Sequence, residues 1–134
     1  MNMTSYESIK TSVALDFEEY IEEEGLNVAQ VSAKTLEEDW RIVNDSLFTK
    51  TLYIISIAIE SLKYKEISDF IYSKLDSYLE NTEFEEAADK NDIEQLLQDI
   101  QVCKKLIDKN EYKVRETSDS TKARVEYILG LKVD

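Results

Sequence analysis

The chain has 134 residues, 29 acidic against 16 basic, a formal net charge of −13, and 43% hydrophobic and 34% charged positions. That is enough apolar material for one core, too much for a disordered acidic tail, and too much charge for a membrane protein. The acidity opposes binding to nucleic acid or anionic lipid and favours a basic partner.

Histidine is absent and Cys103 is the single cysteine. There is therefore no Ser-His or Cys-His nucleophile pair, no imidazole acid/base, no Glu-x-x-His di-iron pair, no intramolecular disulfide and almost nothing to ligate a structural zinc. The most apolar run, Leu52 to Ile59, is too short to cross a bilayer. The first residues lack the basic start, apolar middle and cleavage site of a secretory signal, so a cytoplasmic location is expected.

With no proline and only Gly25 and Gly130, the pattern is helical. Each glycine follows a periodic segment, where a C-terminal cap with positive φ stops a helix. Polar residues followed three positions later by Glu or Gln mark candidate helix starts at Thr4/Glu7, Asn27/Gln30, Thr35/Glu38, Thr82/Glu85 and Asn91/Glu94.

The first helix is expected from about Ser5 to Glu24, with Tyr6, Ile9, Val13, Phe17, Tyr20 and Ile21 on one stripe. Helical periodicity resumes through Val28, Val31, Leu36, Trp40, Val43 and Leu47. Thr35 suggests a short helix followed by another from Leu36 to about Ser46, and this break stays open.

From Leu47 to about Tyr64 apolar residues occur nearly all round, which favours a central helix over a buried strand despite the alternation of Tyr53, Ile55, Ile57 and Ile59. Further helices are expected from about Glu66 to Glu80 and from about Asp92 to Lys109, with Asn110 as a stop. A last short helix around Ala123, Val125, Ile128 and Leu129 follows the polar loop Glu116–Ser120. The expected architecture is all-α, a single-domain helical bundle of about five to seven helices over residues 1–134.

The charge is unevenly spread. Residues 1–46 hold 11 acids and 3 bases, whereas residues 111–134 hold 5 of each. Asp16, Glu18, Glu19, Glu22, Glu23 and Glu24 crowd the end of the first helix, where the macrodipole and like-charge repulsion both disfavour carboxylates. A local conflict of this kind points to a binding role, the plain alternative being a solvated helix face.

Glu37, Glu38, Asp39 and Asp45 surround Trp40. In a first turn after Thr35 the first three would stabilise the helix dipole, a structural reason for their presence. The same holds for Glu83, Glu85 and Glu86 in a third acidic group, Glu80 to Asp92. The candidate partner-binding residues are Asp16, Glu19, Glu22, Glu23, Glu38, Asp39 and Asp45. Among the aromatics, Tyr53, Tyr64 and Tyr72 fit the buried stripes least well and are expected to be exposed.

Glu19, Glu22 and Glu23, at i, i+3 and i+4, resemble part of a carboxylate metal site, but no calcium-loop motif accompanies them. With two glycines there is no phosphate loop, and Ser56 and Ser61 have no basic partner motif. No catalytic residue, cofactor or metal is expected.

Tyr6-x-x-Ile9, Phe17-Glu18-Glu19-Tyr20-Ile21, Thr35-Leu36-Glu37-Glu38-Asp39-Trp40 and the central Lys50–Glu60 run together resemble small helical immunity proteins of bacterial polymorphic-toxin and contact-dependent growth inhibition systems. The resemblance covers roughly residues 6–80 and lies in pattern and order, without a diagnostic motif. It implies stoichiometric neutralisation of a cognate toxin, often a nuclease, whose basic cleft an acidic inhibitor would meet with steered association. Two other classes fit the charge: a nucleic-acid mimic such as a phage anti-defence protein, and a structural adaptor for which the acids are incidental.

Overall fold

The computed structural model describes residues 5–81, 83, 84, 86 and 88–130. Short polar side chains set most helix starts. Ser5 Oγ accepts the Ser8 amide at 3.1 Å and opens α1, Tyr6–Phe17. The cap expected at Thr4 lies outside the described residues. The chain then widens into a π-helical segment, Glu18–Glu23, in which the Glu24 amide reaches back five residues to the Glu19 carbonyl. Gly25, at φ +74, ends it as expected of a left-handed stop.

Asn27 and Gln30 form the expected reciprocal capping box and start α2, Val28–Glu38. The chain does break into two helices here, but at Asp39 rather than at Thr35. Thr35 is fully buried inside α2, and α3, Trp40–Val43, is a single turn. Glu37, Glu38 and Asp39 therefore stand at a helix C-terminus, the opposite end from the one the capping signal suggested.

Ser46 caps α4, Leu47–Lys63, and the Leu52–Ile59 run is helix rather than strand. Leu52, Ile54, Ile55, Ile57 and Ala58 are at most 1% exposed, which makes α4 the centre of the core. It packs against α1 on one side and against the later helices on others. Each isoleucine buried this way contributes roughly 1.5–3 kcal/mol. Two of its interior hydroxyls are satisfied within the helix, Thr51 by the Leu47 carbonyl and Ser61 by the Ile57 carbonyl. Tyr53, expected outside, is 2% exposed; Tyr64 is half-buried and Tyr72 is 43% exposed.

After Lys65, at φ +60, residues Glu66–Ser68 form a strand, β1, and the next helix, α5, runs Asp69–Glu80. Asp89 rather than Asn91 caps α6, Lys90–Lys109. The Thr82/Glu85 pair lies outside the described residues. Asn110, at φ 55, stops α6 as expected. The segment Lys113–Arg115 is a second strand, β2, parallel to β1 in the register Glu66–Lys113, Ile67–Val114, Ser68–Arg115.

Ser118, inside the stretch expected to be a loop, caps the last helix, α7, Asp119–Leu129. Gly130 follows α7 but at φ −86, so it does not supply the positive φ expected of it. The fold is thus an all-α bundle with seven α-helices among the described residues and one three-residue parallel ladder. Among the described residues no helix is long and apolar enough to cross a membrane.

Candidate functional site

Two helices end close together, and both ends are acidic. The C-terminus of α1 with its π-helical extension carries Asp16 to Glu24 without a base in the last turn of α1, and the C-terminus of α2 carries Glu37, Glu38 and Asp39. Helix carbonyls already make these ends negative, so the nine carboxylates there work against the macrodipole twice. The dipole offers no structural reason for Glu37, Glu38 and Asp39, contrary to the sequence-based expectation.

Asp16 sits where the two helices meet. Its Oδ2 accepts a hydrogen bond from the buried Thr35 hydroxyl at 3.1 Å. Loss of solvent pushes its carboxyl up to about 6, the Thr35 bond opposes that rise, and Glu38, Asp39 and Glu19 add to it through repulsion. Those four carboxylates share one field, so Asp16, Glu19, Glu38 and Asp39 form one cluster.

Tyrosines fix the cluster in place. The Tyr20 hydroxyl donates to both oxygens of Glu38 at 3.1 Å, and Tyr53, from α4, donates to Asp39 Oδ2 at 3.0 Å. Loss of solvent, then the Glu38 carboxylate, pushes the Tyr20 hydroxyl up to about 12. Tyr53 is raised further, by burial first and Asp39 second. The Lys34 ammonium lies 4.6 Å from the centre of the Tyr20 ring, so this cation stacks on the phenol.

The π-helical segment divides the candidates that α-helical spacing put on one side. Glu19 joins Asp16, Glu38 and Asp39, whereas Glu22 turns toward the end of α4, where it accepts the Tyr64 hydroxyl at 3.3 Å beside Glu18 and Glu60. Glu23 is exposed and joins neither group. Asp45, exposed after α3, also stands apart. Of the seven candidates, four are brought together and three are not.

Trp40 begins α3 beside this cluster and is 41% exposed, with the Arg41 guanidinium 5.0 Å from its ring centre. A half-exposed tryptophan among carboxylates offers an apolar anchor within a polar rim. In the third acidic group Asp89 has a structural role: it accepts the Asp92 amide at 3.0 Å and caps α6.

The residues that hold the cluster, Thr35, Tyr20 and Tyr53, were missed as site residues. Their partners lie 14 to 19 positions away, beyond any local signal. Chemically the arrangement can receive cations. Two clefts among the described residues lie elsewhere, one of about 160 Å³ lined by Leu62, Lys65, Leu106, Lys109, Glu111 and Tyr112 and one along α7. Among the described residues no group of three or more acids or cysteines is placed to hold a metal ion. Comparison of the chain with family models, curated proteins and solved structures gives no match.

Proposed function

We propose that the chain is a stoichiometric inhibitor that binds a basic partner protein through the cluster Asp16, Glu19, Glu38 and Asp39, with Trp40 as its apolar anchor. The observation that carries this reading is the convergence of carboxylates at two helix C-termini beside an exposed tryptophan. Such a concentration costs stability and is useful where a cationic surface compensates it on contact. In keeping with the resemblance of residues 6–80 to immunity proteins, the partner would be a cognate toxin domain, a nuclease whose substrate cleft is basic, met in the cytoplasm. Binding rather than catalysis is the role of the acids.

The reading is tested by co-purification from the source organism, using the wild-type chain and a Glu19→Lys, Glu38→Lys variant as baits. A basic protein held by the wild type, released by the variant and inhibited in its own activity on binding supports the proposal. Identical sets of proteins on both baits would overturn it. If wild-type bait captures a DNA-binding protein of the defence type, the acids imitate phosphates instead.

A further inference from the structure

The C-terminal segment is fastened differently from the rest of the bundle. Between Lys113 and Leu129 only Val125 and Leu129 are buried apolar side chains, while Tyr127 is 71% exposed. Three of its four bases reach back to acids of the body. Arg115 Nη1 lies 3.5 Å from Glu66, Lys122 Nζ 3.3 Å from Asp69, and Arg124 Nε 3.1 Å from Glu37.

Asp69 also accepts the Thr117 amide, and the buried Lys50 ammonium donates to the Leu129 carbonyl at 2.6 Å, at the end of α7. With Lys65–Glu111 just before β2, four of the six ion pairs among the described residues tie this stretch down. All four retain solvent access, so salt screens them. Segments with few buried apolar contacts and exposed polar ties open before the core does.

The acids chosen are informative. Glu37 adjoins Glu38 and Asp39, so Arg124 occupies the margin of the acidic cluster as a basic partner would. We propose that Lys113–Leu129 is a salt-sensitive basic strap that opens as a unit while the remaining helices stay folded, and that a basic partner competes with it for Glu37. The opening stands on the contacts alone; the competition rests on the function proposed above.

Amide exchange on the full chain tests both parts. Between salt concentrations of about 0.01 M and about 1 M, where the screening length falls roughly tenfold, Asp119–Leu129 loses at least tenfold more protection than α4. A Lys122→Gln, Arg124→Gln variant opens α7 already at low salt with α4 unchanged. If α7 and α4 lose protection together in either arm, there is no separable strap.

An oligolysine peptide at low salt then probes the competition. Binding with deprotection of α7 supports it, and binding with α7 still protected contradicts it. If the peptide does not bind, the failure belongs to the basic-partner reading, and the salt arm still decides the strap.

Discussion

Asp16 on α1 accepts a hydrogen bond from Thr35, a residue buried inside α2, and this single contact places a half-buried carboxyl between two acidic helix ends. Its folded pKa, about 6, stands above the ordinary 3.8, so the folded chain holds the proton more tightly than the unfolded one. Stability from this group is complete below the unfolded value and is lost as pH rises through the folded one. Asp16→Asn, which keeps an acceptor for Thr35, is expected to stabilise the protein at neutral pH by about 1 kcal/mol once solvent screening is allowed for. Denaturant titrations should show that gain vanish toward pH 4. A variant less stable than wild type at pH 7 would refute the account of Asp16.

Alkaline pH acts in the opposite region. Tyr6, held by Asp99 at 2.7 Å, and Tyr53, held by Asp39, are raised well above the ordinary 10.0 by burial and by the adjacent carboxylates, and Tyr78 is raised by burial. Because unfolded tyrosines ionise first, stability should be intact below pH 10 and fall steadily above it. Tyrosinate absorbance should therefore rise cooperatively with loss of helix, not as a set of independent titrations near 10.

Gly25 isolates a backbone effect. At φ +74 an added Cβ meets nothing within 4 Å, so Gly25→Ala disturbs only the left-handed conformation. A loss of about 1 kcal/mol is expected, and a smaller one for Gly25→Asn. Urea midpoints should shift while the denaturant slope stays constant. No shift on the alanine change would mean the turn relaxes without strain.

The features legible in the sequence were those set by neighbours along the chain: the α4 run, the Asn27–Gln30 box, and the stops at Gly25 and Asn110. Thr35 shows the limit of that reading. Thr35 and Glu38 have the spacing of a helix start, yet the Thr35 hydroxyl goes to Asp16, and α2 runs on to Glu38. The β1–β2 ladder joins segments 47 residues apart, so Glu66 reads as helix and Val114 has no assignment until the pairing is seen.

Tyr53 looked misplaced on an apolar helix because its hydroxyl partner, Asp39, lies on another element. For the acidic site, composition and clustering mark the two regions that the fold brings near each other, and the π-helical turn decides which acids meet. Period-based reasoning assumes α-helical geometry and so grouped Glu22 and Glu23 with Glu19.

The central claim, that the cluster of Asp16, Glu19, Glu38 and Asp39 recruits a basic partner, is tested most directly by the association rate. The partner retained by the wild-type chain is mixed at low salt with wild type and with the Glu19→Lys, Glu38→Lys variant. Steering by these carboxylates predicts association about tenfold or more slower for the variant, with the gap closing as salt is added. Equal rates at low salt would contradict it.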